Sequence, residues 1–351
     1  MATPGAPATN TPSSGVSVAR RLRVVGAREA PLAVLIALTI IAMTIVNPAF
    51  ASLSNLRAVA IGLTPDAIIA IAMTVLLISG GFDLSVGSVL ALTGVVAALT
   101  MDAGAPWPAA VLAAVVVGAM VGAFNGLIVT RVGVNALVTT LGTLTMVSSI
   151  TLVVSGGSPR SGFPDAFLTL GQGSVYGLPV AVLIMLVGVI VGDQLLRRAS
   201  AARLTYYVGS NAEAALLSGI SVQRVRLAAF ILVGVAAAIA GVIAAARLNA
   251  AFPLAGQGTE LRVIAACVIG GCTLSGGQGS VLGSFLGVVL LGLVTNVLIL
   301  MRVDVSWQGF VTGGILIAAV ALDQLTKART RRRLVAVRRT PAATGPTSSP
   351  P

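Results

Sequence analysis

The sequence predicts an all-α polytopic membrane protein with about ten transmembrane helices in two related halves and with both termini in the cytoplasm. Three observations support this fold class. The 351 residues are 56% hydrophobic and only 9% charged, whereas a soluble core of this size needs a charged surface. Several apolar segments approach the roughly 20 residues that cross a bilayer. The positive charges also fall mainly on one predicted side of the membrane.

The apolar segments follow one another with short polar connections, and three are short or rich in glycine, so a broken or re-entrant segment remains an alternative. They cover residues 31–47, 59–79, 84–100, 107–129, 134–154, 178–196, 226–247, 260–273, 279–301 and 306–323. We therefore expect a transmembrane domain at 30–325. A disordered N-terminal tail at 1–29 precedes it, and a basic, disordered C-terminal tail at 326–351 follows.

The charges orient this arrangement in the cell membrane. With both termini cytoplasmic, most of the 22 Arg and Lys residues lie inside, in the two tails and in the loop at 197–226. Those left outside are Arg57, Arg160, Arg247, Arg262 and Arg302. This asymmetry follows the positive-inside rule and predicts that the loop at 197–226 is cytoplasmic.

The residue inventory excludes several classes of function. The chain has no His, its single Lys is Lys327, and it contains no GxxxxGK[ST] motif. Histidine metal sites, Schiff-base chemistry, a Ser-His-Asp triad and a built-in P-loop ATPase are therefore ruled out. Cys267 and Cys272 lie in one apolar segment and are expected to be small core residues. The positive residues are not interleaved with aromatics, so no nucleic-acid partner is expected.

Internal similarity predicts the two halves. The segment GGFDLSVGSVL at 80–90 resembles GGCTLSGGQGSVL at 270–282 once two glycines are allowed as an insertion. NGLIVTRVGV at 125–134 likewise aligns without gaps with NVLILMRVDV at 296–305. Repeats of this kind are typical of transporters, with functional sites at breaks in the helices.

A few polar groups interrupt the apolar segments. Asp83 is interpreted either as an N-cap of the following helix or as a carboxylate that contacts a polyhydroxylated solute or holds a gate. Asp66 follows Pro65, which suggests a kink or a late helix start. Asp66 is interpreted either as a helix cap or as a ligand contact. Glu260 and Arg262 are expected to mark an interfacial helix end.

Asn125 and Asn296 lie at matching positions of the two halves. Each is interpreted either as a helix-packing group or as part of a polar pathway. Trp307 and Gln308 stand at the start of the last segment, where Trp307 is expected to be an interfacial anchor, with a sugar-stacking platform as the alternative.

The segment GSNAEAALLSGI at 209–220 predicts a short capped helix in the cytoplasmic loop. Asn211 is a suitable N-cap, Glu213 complements the helix N-terminus, Ala214 and Ala215 favour helix, and Gly219 ends it. A chain without its own ATPase that moves a solute with ATP needs a surface on which a separate ATPase can act. This helix is the predicted surface.

EAALLSG resembles the EAA-x3-G coupling loop of ABC-importer permeases. Together with GGFDLSVGSVLALTG, TTLGTLTM, GTELRVIAACVIGGCTLSGGQGSVLG and WQGFVTGGILIAAVALDQ, it makes the chain similar to the ribose/xylose/galactose-type sugar permease family over about residues 30–325. Ala136 and Leu137 stand where relatives often have Pro-Phe, Cys272 and Thr273 replace a commoner Thr-Ser, and Gln278 replaces a frequent Arg.

The resemblance implies a transporter subunit and not an enzyme, with no cofactor in this chain. Its implied partners are a cytoplasmic ATPase that binds ATP and Mg, an extracytoplasmic solute-binding protein, a second permease copy or paralogue, and membrane lipid. The implied ATPase-coupling residues are Asn211, Glu213, Ala214, Ala215, Gly219 and Ile220. The implied core motifs near the translocation path contain Gly80, Gly81, Asp83, Leu84, Ser85, Gly270, Gly271, Gly276, Gly277 and Gly279.

We therefore expect a permease for a monosaccharide. Alternatives are a permease of the same class for a branched-chain amino acid, a nucleoside or an autoinducer-like sugar, and, from other classes, an ion-coupled secondary carrier or a membrane scaffold. The candidates for the translocation path or gate are Gly80, Gly81, Asp83, Ser85, Asn125, Gly270, Gly271, Gly276, Gly277, Asn296, Trp307 and Gln308.

Overall fold

The structure is a computed structural model that describes residues 18–304 and, beyond them, positions 307, 309–311, 313–315, 317–318 and 321. The predictions for the outer parts of both tails, and for Gln308, lie outside the described residues. The helices are α1 (Val18–Val46), α2 (Leu53–Ile78), α3 (Val86–Asp102), α4 (Trp107–Leu127), α5 (Ala136–Ser155), α6 (Asp165–Gln172), α7 (Val180–Arg198), α8 (Ser200–Ser210), α9 (Ala212–Leu217), α10 (Val222–Leu248), α11 (Thr259–Ile269) and α12 (Val281–Leu300).

Short elements connect the helices. A 3-10 turn spans Pro48–Ala51, and a π-helical turn, Ile128–Val132, extends α4. Four two-residue strands form two antiparallel pairs: β1 (Arg160–Ser161) with β4 (Ala250–Ala251), and β2 (Ser174–Val175) with β3 (Leu178–Pro179).

The all-α membrane architecture agrees with the prediction. Among the described residues, seven helices are long and apolar enough to cross a membrane: Glu29–Val46 within α1, α2, α4 with its π-helical extension, α5, α7, α10 and α12. The segment predicted at 260–273 is instead α11, which has 11 residues and is only roughly 16 Å long. It is therefore too short to span a bilayer by itself.

Helix α10 lies at the centre of the fold, packed against α2, α3 and α4. Glycines allow its backbone to approach the backbone of α4 closely. A Cβ at Gly118 would collide with the Gly234 carbonyl oxygen, and a Cβ at Gly122 would collide with the carbonyl oxygen of Phe230. In lipid there is no hydrophobic driving force between helices, so close van der Waals packing through small residues stabilises these crossings.

The predicted late start of α2 at Asp66 is wrong. Ser52 caps the helix earlier, because its side chain accepts from the Asn55 N–H at 3.3 Å. The helix then runs from Leu53 to Ile78 with Pro65 inside it, as transmembrane helices tolerate when neighbouring groups satisfy the backbone. Asp66 is therefore an interior residue of α2 and not a cap.

Helix α1 packs against α12 at the edge of the bundle. The Ser280 hydroxyl donates to the Glu29 carboxylate at 2.7 Å and also accepts from the Gly283 N–H at 3.0 Å. Ser280 thus caps α12 and ties it to the start of the membrane part of α1.

Candidate functional site

The short helix predicted at 211–219 is present as α9. The Asn211 side chain caps it by accepting from the Ala214 N–H at 3.0 Å, and Glu213 lies in its first turn. At the other end, Gly219 adopts a φ of +80°, and the Ile220 N–H donates to the Ala215 carbonyl at 3.0 Å. A left-handed glycine after the last turn is the usual way to end a helix.

The exposed face of α9 adds two residues to those selected from the sequence. Leu216 is 65% exposed and Leu217 is 89% exposed, whereas the Ala215 side chain is buried with only 4% exposure. Ala215 therefore faces the chain itself. The signal for the two leucines was available in the sequence, since they directly follow the small Ala pair inside a polar loop.

Helix α8 connects α9 to the two Gly-Gly turns. These are the α2–α3 turn, which contains Gly80, and the α11–α12 turn, which contains Gly277. The two turns contact each other, because the Gly277 N–H donates to the Ile78 carbonyl at 2.8 Å. Gly209, near the end of α8, lies against both: a Cβ there would overlap the Ile78 carbonyl oxygen and come within 2.6 Å of the Gly277 nitrogen. The end of α8 thus contacts both turns where they meet.

Two further hydrogen bonds attach these turns to neighbouring helices. The Tyr206 hydroxyl donates to the Gly279 carbonyl at 2.8 Å. Burial raises the pKa of Tyr206 to about 12, so the phenol stays protonated and able to donate at neutral pH. On the other side, the Arg226 Nε donates to the Ser79 carbonyl at 3.1 Å.

The glycines selected from the sequence occupy these turns. Gly80 has a φ of +83°, Gly271 of +95°, Gly276 of +85° and Gly277 of +77°, conformations that residues with a Cβ rarely adopt. A Cβ at Gly276 would lie 3.0 Å from the Gly209 carbonyl oxygen and 3.0 Å from the Gly80 Cα. The structure therefore brings Gly80, Gly276 and Gly277 together. Of the remaining turn glycines, Gly81 donates its N–H to the Leu76 carbonyl at 3.0 Å, and Gly270 packs against the Gly283 backbone.

Asp83 belongs to a buried polar network beside the first turn. One carboxylate oxygen accepts from the Ser85 N–H at 2.7 Å and from the Ser85 hydroxyl at 2.6 Å, and the other accepts from the Asn125 side chain at 3.1 Å. Asn125 also donates to the Ser85 hydroxyl at 2.9 Å and accepts from the Thr143 hydroxyl at 2.6 Å. The network joins the α2–α3 connection to α4 and α5.

The N-cap interpretation of Asp83 needs correction. The N-cap of α3 is Ser85, whose side chain makes no capping bond to the helix. Asp83, which is 2% exposed, acts two residues earlier by holding the Ser85 N–H. A buried carboxylate needs hydrogen-bond donors to be stable, and here they are the Ser85 N–H, the Ser85 hydroxyl and the Asn125 amide. By holding the Ser85 backbone, Asp83 fixes the position at which α3 begins.

The two matching asparagines do not share a site. Asn125 lies in the Asp83 network, whereas Asn296 on α12 pairs with Asn55 on α2 through two side-chain hydrogen bonds of 3.0 and 2.8 Å. Both contact a neighbouring helix. Trp307 is 55% exposed and makes an edge-to-face contact with Phe310, with ring centroids 5.4 Å apart. Asn296 and Trp307 are thus separate from the glycine turns.

Sequence reasoning missed one ion pair. Arg262 on α11 donates from Nε to the Asp66 carboxylate on α2 at 3.0 Å and from Nη2 to its second oxygen at 3.4 Å. Glu260 lies in the first turn of α11, in agreement with the predicted helix end. The pairing could not be read from the sequence, since 196 positions separate the partners.

Comparisons with known proteins agree with the described architecture. The family model described as "Branched-chain amino acid transport system / permease component" matches residues 55–320. The chain is 36% identical to a ribose import permease protein of Haemophilus influenzae over 296 residues, which is 83% of this chain and 91% of the relative. It is 42% identical to the D-allose transport system permease protein of Escherichia coli over 246 residues, 70% of this chain and 76% of the relative.

A third relative is more distant in identity but equally extensive. The L-arabinose transport system permease protein of Escherichia coli is 34% identical over 291 residues, which is 83% of this chain and 89% of the relative. No solved structure matches the chain significantly.

Proposed function

The chain belongs to the ribose/xylose/galactose-type sugar permeases within the branched-chain amino acid transport system / permease component family, and from this premise we propose that it imports a monosaccharide. It is a transporter subunit and not an enzyme. Relatives named for ribose, allose and arabinose support a monosaccharide as the solute.

The observation that carries the coupling proposal is the exposed leucine pair on a capped helix. Leu217 is 89% exposed on a helix whose two ends are fixed by Asn211 and Gly219. Leu216 and Leu217 together form an exposed apolar pair, and an apolar patch at a surface outside the membrane is a candidate contact site for another protein. We assign this surface to the cytoplasmic ATPase, with Asn211, Gly219 and Ile220 shaping the helix and Glu213 and Ala214 exposed beside the leucines.

The path from α9 to the membrane helices is short. Helix α9 follows α8 directly in the chain, so a displacement of α9 also moves α8. The end of α8 contacts both Gly-Gly turns at Gly209. Those turns end α2 and α11 and precede α3 and α12. Movement of α8 therefore alters the relative position of two helix pairs, which is the kind of change that switches a pathway between outward-facing and inward-facing states.

The complete transporter contains other chains. A second permease copy or paralogue forms the other half of the pathway, an extracytoplasmic binding protein delivers the solute, and ATP with Mg binds in the ATPase. We place both termini of the permease in the cytoplasm. In this orientation the Arg residues of the loop at 197–226, which contains α9, lie on the cytoplasmic side, as the positive-inside rule requires.

A positive charge introduced on α9 tests the coupling surface. Leu217→Arg should abolish co-purification of the ATPase and stop uptake, while the melting temperature of the purified permease stays unchanged because the side chain makes little contact with its own chain. Tyr176→Arg is the matched control, since Tyr176 is fully exposed in the β2–β3 hairpin on the opposite predicted side. Normal ATPase binding by Leu217→Arg would refute the assignment.

The solute class is tested with the complete transporter in proteoliposomes. ATP-driven uptake of radiolabelled D-ribose, D-allose, L-arabinose and L-leucine is measured side by side. We expect uptake of at least one sugar and none of leucine. Uptake of leucine alone would replace the monosaccharide assignment with the branched-chain amino acid alternative.

A further inference from the structure

We infer that the cavity between α2, α11 and α12 is a solute site that binds the hydroxyl groups of the transported sugar through the Asp66–Arg262 pair and the polar groups near it. This inference rests on the proposed import of a monosaccharide and names where that solute is contacted. The cavity has a volume of about 610 Å³ and is also lined by Gly309 and Gly313 of the last segment. That volume lies in the range of small-molecule sites, about 300–1,000 Å³.

The ion pair supplies hydrogen-bonding groups that its own partners do not exhaust. Arg262 uses Nε and Nη2 for Asp66, and Nη2 also donates to the Thr259 hydroxyl at 2.9 Å. A guanidinium carries five N–H groups. The two on Nη1 have no hydrogen-bond partner in the part of the chain that the structure describes, and they remain for a ligand. The Arg262 side chain is 39% exposed and the Asp66 side chain 22% exposed, which leaves both within reach of the cavity.

Neutral groups elsewhere in the cavity lining add to this set. Asn55 and Asn296 satisfy each other through paired amide hydrogen bonds, and Asn55 also donates to the Phe50 carbonyl at 2.9 Å. Thr295 lies beside them on α12 and also lines the cavity. The cavity lining therefore presents oxygens and N–H groups in a mostly apolar surface. This composition is expected for a site that binds both the hydroxyl groups of a sugar and its less polar ring face.

A purely structural role would explain the ion pair but not the open space around it. Charges inside a membrane protein are costly and face protein or water. A tether between α2 and α11 would be expected to be closed over by large side chains. Here Gly62, Ala266 and Gly292 interrupt the larger side chains of the lining. A Cβ placed on Gly62 would meet no heavy atom of the described residues within 4 Å.

The position of the cavity fits delivery from outside. Arg247 and Arg262, two of the residues predicted to lie on the extracytoplasmic side, line it. A second cavity of about 290 Å³ lies across the 257–258 turn, between α3 and α5. It is about half as large, and we assign the solute site to the larger one.

Filling the cavity from Gly62 tests the inference without touching the ion pair. Gly62→Leu should reduce kcat/KM for uptake of the transported sugar at least tenfold, and Gly62→Ala should have a smaller effect. Gly142→Leu is the matched control, because Gly142 is also an exposed helical glycine whose Cβ would meet no described heavy atom within 4 Å, and it is not among the residues that line the cavity. Its kcat/KM should stay within twofold of wild type.

Exchanging the two charges separates a solute contact from a tether. In the double variant Asp66→Arg with Arg262→Asp, a tether would be restored and uptake would return. For a solute contact, the complex assembles and hydrolyses ATP, but uptake stays at least tenfold low because donors and acceptors have changed places around the sugar. Asp66→Asn, which keeps the shape, should raise KM more than it lowers kcat.

The results distinguish this inference from the proposed function. If the wild-type transporter takes up none of D-ribose, D-allose and L-arabinose, the monosaccharide function fails and the site assignment fails with it. If wild type takes up a sugar but Gly62→Leu matches Gly142→Leu, the cavity assignment alone is overturned. Full uptake by the exchanged double variant also overturns it.

Discussion

Replacing Gly209 with alanine should damage the junction that links α9 to the two Gly-Gly turns. The new Cβ would overlap the Ile78 carbonyl oxygen and lie 2.6 Å from the Gly277 nitrogen. These two atoms are the acceptor and donor of the hydrogen bond between the turns, which is 2.8 Å long. Both obstacles are backbone atoms, so no side chain can rotate away to make room.

The magnitude follows from three contributions. Overpacking of a tight site costs about 1–3 kcal/mol, and loss of the bond between Gly277 and Ile78 removes about 0.5–1.5 kcal/mol. Alanine in place of glycine in a helix returns about 1 kcal/mol. The net effect is a destabilisation of about 0.5–3.5 kcal/mol, with α8 displaced from the turns.

The assay combines stability and coupling. The melting temperature of the purified Gly209→Ala permease should fall on the order of a few degrees, and ATP-driven uptake by the complete transporter should fall more than ATPase binding does. Gly142→Ala is the matched control, because it adds the same methyl group to a helix at a position where no atom of the described residues lies within 4 Å of the new Cβ. A Gly209→Ala protein with wild-type melting temperature and uptake would refute the close contact and the coupling path.

Three further predictions concern the network, the cap and the membrane orientation. Asn125→Ala should lower stability by about 1–3 kcal/mol because it leaves the buried Asp83 carboxylate short of a donor; thermal unfolding of the purified variant measures this, and an unchanged melting temperature would contradict it. Asn211→Ala should weaken α9 by about 1 kcal/mol and reduce ATPase co-purification, whereas Asn211→Asp, which keeps the cap, should not. A membrane-impermeant thiol reagent applied outside intact cells should label Tyr176→Cys and not Leu217→Cys, because the two positions are predicted on opposite sides of the membrane. The native Cys267 and Cys272 are buried and should give little background labelling; the reverse pattern would show that the predicted topology is inverted.

Local features of the fold followed from the sequence because they depend on neighbouring residues. Apolar length predicted the membrane helices α1, α2, α4, α5, α7, α10 and α12, since each segment carries its own hydropathy. The cap at Asn211 and the stop at Gly219 were predicted for the same reason, because a helix end is fixed by residues within one turn of it. The prediction of about ten spans still stands as a prediction.

Helix-capping rules were less successful for the polar residues within the apolar segments. Asp66 was interpreted as a cap because it follows Pro65, but the proline lies inside a continuous helix. Asp83 was interpreted as the N-cap of α3, but that position belongs to Ser85. In both cases the partner that decides the role lies on another helix, Arg262 for Asp66 and Asn125 for Asp83.

By itself, the sequence determined the class of protein, the long membrane helices and the capped helix α9, because hydropathy, capping and the family motifs are all properties of short stretches. Only the tertiary structure decided that the end of α8 contacts both Gly-Gly turns, that Leu217 faces outward while Ala215 faces inward, and that Asp66 meets Arg262 beside a cavity. These arrangements join residues far apart in the chain, and helix packing alone sets which of them meet.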